Sequence, residues 1–193
     1  MSIIKIILVG PESTGKTTLC KILSEKYNTQ WVKEACRTMA EEKTVVIDPK
    51  IDGKNINFNF TLENFIEMAN RQNEEEYNLT KISKNLLICD NDSFAISIWC
   101  ERYLGKFYNE IYDIYKNATN LDNQNKIYIL TKPNVPFVQD GLRDGEHIRE
   151  WMFERFLEEL QNKNLKYYVL DSPDYVKRTQ KAIEIIENIL LNL

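Results

Sequence analysis

The stretch Gly10-x-x-x-x-Gly15-Lys16-Thr17 constrains the fold more than any other feature of the chain. It follows the apolar run Ile3–Val9 and precedes residues at helical spacing, Leu19, Ile22, Leu23 and Tyr27. The pattern GxxxxGK[ST] between a buried strand and a helix is a phosphate cradle. Gly10 and Gly15 let the backbone turn tightly and aim its N–H groups inward. Glu12, Ser13 and Thr14 fill the loop. Lys16 supplies a point charge for the β- and γ-phosphates, and Thr17 a hydroxyl for Mg²⁺. Thr18 follows in the first turn of a helix whose positive end meets the anion.

A strand–cradle–helix unit needs neighbours that bury both faces of its strand. The chain supplies them. Short apolar runs (TQWVK, NLLICD, KIYILT, KYYVLD) alternate with helical patterns: EACRTMAEEK onward, Leu62–Ser83, SFAISIWCERYLG closed by Gly105, Tyr108–Lys116, Glu146–Leu160 and Asp174 to about Leu190. Cores are expected on Phe65, Ile66, Ala69 and Tyr77 of the third helix, and on Ile148, Met152, Phe156 and Leu160 of the sixth. Alternating strands and helices predict an α/β fold with a parallel sheet covered on both faces. Right-handed crossovers leave few topologies, of which five strands in the order 2-3-1-4-5, a P-loop NTPase sheet, are favoured. The length, 193 residues, suits a single kinase domain over residues 1–193. A lid-like segment is expected near 139–150 and an inserted hairpin near 44–60, where NINFNF alternates and Asp52-Gly53 signals a turn.

A net charge of −4 argues against nucleic acid as a partner. Ile3–Val9 is far too short to span a membrane and has no cleavage site of a signal peptide. Cys20, Cys36, Cys89 and Cys100 form no CxxC pair, and with one histidine they argue against zinc. Reduced thiols in apolar stretches fit a cytoplasmic protein.

The strand ends carry the rest of the chemistry. NLLICD places Asp90 where a carboxylate holds Mg²⁺ beside Thr17; Asp90 and Asp92 also suit helix capping. Glu34 ends the second strand. An acid there faces an acceptor hydroxyl and takes or orients its proton, with Asp92 as the rival base; the alternative is an acid favoured at a helix N-terminus. Arg143 and Arg149, in VQDGLRDGEHIRE, are placed to close over the transferred phosphoryl group, with Gly141 and Gly145 as hinges. His147 reads as a surface residue. TKPN (131–134) lacks the aspartate with which GTPases read guanine, which favours ATP.

VGPESTGKTTL, WVKEACR, ENFIEMANRQ, LLICDNDSFAISIWCERYLG and VPFVQDGLRD occur in order, and together they resemble the ribosylnicotinamide kinase domain of NadR-type proteins. The resemblance spans Ile3 to the last helix. It implies an ATP- and Mg²⁺-dependent kinase that phosphorylates the 5′-hydroxyl of nicotinamide riboside, giving nicotinamide mononucleotide. Matching motif positions are the P-loop, Glu34, Arg37, Asp90, Asp92, Trp99, Asp140, Arg143 and Arg149. Of these, Glu34, Arg37, Asp92, Trp99 and Asp140 are the candidates for holding the acceptor; Trp99 reads equally as a core aromatic. The chain departs from the family at Ala35, where an aromatic is common, at Asn91, where Asp-Thr-Asp is usual, and in the 44–60 insertion. NadR-type proteins also carry a nucleotidyltransferase domain, and this chain resembles a stand-alone kinase module. Two other readings stand beside it: a kinase of another nucleoside, and a nucleotide-binding switch that binds ATP or GTP without catalysis.

Overall fold

A computed structural model of the chain describes residues 3–42, 60–122, 125–139, 143 and 145–192. The expected hairpin at 44–60 lies outside the described residues except for Phe60. The apolar run forms β1 (Ile4–Val9), buried along its whole length. There follow α1 (Lys16–Tyr27), β2 (Trp31–Val32), α2 (Ala35–Glu42), α3 (Leu62–Ile82), β3 (Leu86–Asp90) and α4 (Ser93–Leu104). The second half comprises α5 (Asn109–Asp122), β4 (Asn125–Thr131), a 3-10 turn (Glu146–Ile148), α6 (Arg149–Asn162), β5 (Tyr167–Leu170) and α7 (Tyr175–Leu191).

The strands form one parallel sheet in the expected order β2-β3-β1-β4-β5. β1 is central, with Ile6 paired to Ile88 on one side and Ile127 on the other. A central parallel strand is covered on both faces, which is why its run is apolar without alternation. Ile4, Ile6 and Leu8 pack with Leu19 and Leu23 of α1 and Ile185 and Ile186 of α7. Ile7 and Val9 pack on the other side with Phe94 of α4 and Met152 and Phe156 of α6. A third cluster joins Met39 of α2, Phe65, Met68 and Ala69 of α3, Ile96 and Cys100 of α4, and Ile111 of α5. Phe65, Met68 and Ile96 of this cluster also line the pocket of the site.

Several helix ends follow local chemistry. Thr61 and Asn64 make a reciprocal cap at the start of α3. Gly105, at φ 76°, closes α4 as expected. α5 runs on past Lys116 to Asp122, with Ile111 and Tyr115 buried on the inner face of its first half. Residues 146–148 form a 3-10 turn before α6 rather than its first turn.

The inner face of α3 differs from the expected one. Tyr77 is 50% exposed, while Gln72 and Glu76 are buried. The inner stripe of α3 starts apolar at Phe65, Met68 and Ala69 and turns polar at its C-terminal half. Hydrophobic periodicity favours a tyrosine over a glutamate there. The sheet demands the glutamate, because β1 and β4 present Lys5 and Lys126 beneath it. Cys20, Cys89 and Cys100 are free and buried, and Cys36 is free and half-buried.

Candidate active site

All the strands end on one edge, where ligands bind in open parallel sheets. The P-loop leaves β1 through Gly10 at φ 132°; a side chain there would meet the Thr131 hydroxyl and carbonyl at 2.7 and 2.8 Å. Gly15, at φ 85°, would press a Cβ to 2.9 Å from the Tyr175 ring. Both positions therefore need glycine for conformation and for space. The loop is tied from within and from behind. Thr14 Oγ1 lies 2.6 Å from Thr131 Oγ1 and donates to Pro11 O at 3.0 Å. Lys16 Nζ donates to Gly10 O at 2.9 Å and Pro11 O at 2.7 Å. Burial holds the Lys16 ammonium below its ordinary pKa, against the pull of Glu34, Asp90 and Glu12.

Thr17 Oγ1 donates to Asp90 Oδ2 at 2.6 Å. Asp90 Oδ1 is buried and, among the described residues, has no hydrogen-bond partner. Burial, and then the Glu34 charge, push the Asp90 carboxyl up to about 6, partly offset by Lys16 and Thr17. A buried carboxylate with one unsatisfied oxygen beside a threonine hydroxyl is a fitting partner for a hard cation. Among the described residues, no three His, Cys, Asp or Glu side chains converge as a metal cage. Glu34, two residues beyond β2, lines a pocket together with Thr17 while Asp90 lies behind it, and Glu34 Oε1 accepts from Asn91 Nδ2 at 2.6 Å.

Asp92 requires a correction. It is 0% exposed and does not line the pocket. Its Oδ1 caps α4 by accepting from Ala95 N at 3.1 Å. Its Oδ2 accepts from Lys126 Nζ at 3.0 Å and Tyr128 OH at 2.8 Å. Lys126 also binds Glu76, which binds Lys5 at 2.9 Å. Two lysines and two carboxylates thus form a charge-balanced buried cluster linking β1, β4, α3 and α4. The lysines hold the Glu76 carboxyl below its ordinary range despite burial. Asp92 is committed to the frame by three hydrogen bonds and is fully buried.

The arginines divide as well. Arg143 lines the pocket, and its Nη1 donates to Ser13 Oγ at 3.3 Å and to Val138 O. Arg149 is buried behind the loop; its Nη1 and Nη2 each donate to Val135 O at 3.1 Å, and its Nη2 to Ser13 O at 3.3 Å. It braces the P-loop and does not line the pocket. Glu12 receives Gly145 N at 2.9 Å, and Ser13 Oγ receives Val138 N at 2.7 Å. The described part of the lid-like segment is therefore laced to the P-loop. Asp140 and Gly141 lie outside the described residues.

The pocket runs from the P-loop, Glu12 to Thr18, past Glu34, Arg37 and Arg143 into a chamber of Phe60, Phe65, Met68, Ile96, Trp99 and Tyr103. Phe60 and Tyr103 meet edge-on at 4.8 Å, and Phe65 lies 5.3 Å from Phe60. Trp99 serves both readings given to it. It packs edge-on against Phe156 at 6.3 Å, and it lines the chamber with a buried indole N–H that has no partner. Ala35 is buried and does not line the pocket; its neighbour Cys36 does. Sequence reasoning named Trp99 and Arg37 but not Met68, Ile96 or Tyr103 as site residues. The signal was present for Met68, which stands beside Phe65 and Ala69 on the expected inner face of α3; Ile96 and Tyr103 share α4 with Trp99 at helical spacing.

On the far side of the P-loop, a second pocket is lined by Thr18, Ile22, Thr131, Tyr175, Arg178 and Thr179, among others. Arg178 donates to Thr14 O at 3.0 Å and Lys132 O at 2.6 Å. It also holds the Asn134 amide oxygen, while Asn134 Nδ2 donates to Asp171 O. The TKPN amide is thus engaged in joining loops.

A strand-end cradle with a carboxylate beside its threonine, on this sheet order, is a P-loop nucleotide-binding kinase fold. The chain belongs to a family described as an AAA domain, whose model matches residues 5–178. Among solved structures, a NadR protein in complex with NR superposes with a TM-score of 0.76 at 19% identity, covering 96% of this chain and 51% of that one. The resemblance read from the motifs is borne out at the level of the fold. The chain spans about half the length of that protein. Thymidylate kinase from Ehrlichia chaffeensis matches with a TM-score of 0.63 at 16% identity, covering 96% of this chain and 100% of its own. Deoxyadenosine kinase from M. mycoides matches at 0.58 and 15%, with the same coverage. No curated protein matches in sequence. Among the described residues, no helix is long and apolar enough to cross a membrane.

Proposed function

We propose that the chain is an ATP- and Mg²⁺-dependent kinase of a nucleoside hydroxyl, with nicotinamide riboside the first candidate acceptor. The observation that carries this is the continuity of one pocket from the phosphate cradle, past Glu34, into the aromatic chamber. A donor phosphate on the P-loop and a flat base in the chamber would meet at Glu34. The P-loop N–H groups and Lys16 would hold the β- and γ-phosphates; Lys16 would exchange two backbone carbonyls for phosphate oxygens. Thr17 and Asp90 would hold Mg²⁺, which supplies charge neutralisation on the donor phosphates when bound. Glu34 would accept or orient the proton of the attacking hydroxyl. Arg143 would neutralise charge developing on the transferred group. The choice of nicotinamide riboside rests on the motif resemblance and on the NR bound to the NadR neighbour.

The test is a panel. The protein is incubated with Mg²⁺-ATP and nucleosides including nicotinamide riboside, and monophosphates are detected by mass. Nicotinamide mononucleotide as the main product supports the reading, and Glu34→Gln is then expected to lower kcat by about 10²–10⁴-fold. A different monophosphate would replace the acceptor. No product from any nucleoside, with ATP still bound, would overturn the kinase reading in favour of a switch.

A further inference from the structure

Between β3 and α4 the chain turns through Asn91 at φ 66°, a left-handed conformation that asparagine tolerates better than most residues. The turn is locked: Asn91 N donates to Leu8 O at 3.0 Å. The Asn91 side-chain amide then reaches across the strand ends and donates to Glu34 Oε1 at 2.6 Å. A second buried amide runs alongside. Gln72 of α3 donates from Nε2 to Asn91 O at 3.3 Å and accepts at Oε1 from Ala35 N at 2.8 Å. Asn91 and Gln72 are each 1% exposed.

Gln72 therefore joins the residue after Asp90 to the residue after Glu34, and the Asn91 amide holds the Glu34 side chain itself. Their chemistry suits the place. Asp90 and Glu34 are like charges that oppose one another, as the raised Asp90 carboxyl records. A neutral N–H donor steadies one carboxylate without adding another charge. Among the described residues only Glu34 Oε1 is engaged in this way, which leaves Oε2 for an incoming hydroxyl. Gln72 also shares the α3 stripe with Phe65 and Met68, which wall the chamber.

We propose that Asn91 and Gln72 are positioning residues, a paired-amide clasp that holds the Glu34 carboxylate at the mouth of the acceptor chamber. This rests on the reading of Glu34 as the acid that meets the acceptor. The clasp belongs to this chain's Asp90-Asn91-Asp92 sequence, since a hydroxyl at position 91 would be too short to span the same gap.

The test is a double-mutant cycle of Asn91→Gly, Glu34→Gln and both together. Glycine suits φ 66°, so the turn is kept, and thermal melting checks this. Asn91→Gly is expected to lower kcat by about 10–10²-fold with KM for ATP unchanged, the cost of a misaimed reacting group. It should cause no further loss in the Glu34→Gln background. Asn91→Asp, which sets a third carboxylate against Glu34 and Asp90, should lower kcat at least as far. An equal loss from Asn91→Gly in both backgrounds overturns the clasp. So does a crystal structure of Asn91→Gly with the Glu34 carboxylate unmoved, whatever the kinetics. Near-normal turnover of Glu34→Gln overturns the reading of Glu34 instead; the crystal structure then still decides whether Asn91 held it.

Discussion

Asp90 and Asp92 stand two residues apart at the end of β3, both fully buried, and their surroundings are opposite. Asp92 accepts from a backbone N–H, a lysine and a tyrosine, within a cluster whose charges cancel. Asp90 has one hydroxyl donor, an unsatisfied oxygen and an opposing carboxylate nearby. The first arrangement is what a stable frame needs. The second is costly for the folded protein and suits a group that awaits a ligand. Unsatisfied hydrogen-bonding capacity, rather than acidity or burial, is what separates the two carboxylates.

The largest expected effect tests the Asp92 side. Asp92→Ala removes one anion from the buried cluster and leaves Lys126 under-compensated. It is expected to cost about 3–5 kcal/mol in urea denaturation, with kcat per folded molecule close to wild type. A folded, stable Asp92→Ala protein without turnover would break the comparison.

The next effect tests Asp90. Asp90→Asn is expected to lower kcat/KM by about 10²–10³-fold. It should also stabilise the ligand-free protein. The folded-state Asp90 carboxyl, at about 6, lies above its unfolded value. Its contribution to stability is therefore complete below the unfolded value and is lost as pH rises through about 6. Removing the charge should gain about 1–3 kcal/mol at pH 8 and progressively less towards pH 4, as read from melting across pH. Wild-type kcat/KM should fall below about pH 6, where the carboxyl is protonated and no longer holds a cation. A flat profile there would remove Asp90 from the metal side.

The smallest effect lies in the chamber. Trp99→Phe keeps an aromatic ring and deletes the unpartnered indole N–H. If that donor serves the acceptor, KM for the acceptor rises by a factor of about 2–10, one neutral hydrogen bond, while KM for ATP and the melting temperature stay put. A drop in melting temperature with KM unchanged would make Trp99 a core residue only.

The cradle was legible because it is local. Strand, glycines, lysine and helix are contiguous, and Gly10–Thr18 appear in the structure as the spacing implies. The sheet order was legible because β1, β3 and β4 are apolar without alternation, the mark of strands covered on both faces. The strand ends and the charged loop pointed to Glu34 and Arg143, and the motif resemblance to Arg37 and Trp99, all of which line the pocket. The same readings named Asp92 and Arg149, which do not line it. A motif records that a residue is present and leaves open which way it is used.

The lysine in the middle of IIKIILV was the one warning of what lay beneath. A charge inside a buried strand requires a counter-ion, and that partner, Glu76, is 71 residues away. Lys126 reaches Asp92 across 34 residues. The amino-acid sequence by itself determined the phosphate cradle, the five parallel strands and the edge on which the chemistry gathers, because hydrophobic period and backbone sterics act over a few residues. Only the tertiary structure decided which carboxylate was neutralised by the frame and which was left open beside Thr17. Electrostatic compensation acts between chain segments that meet only once the sheet has assembled.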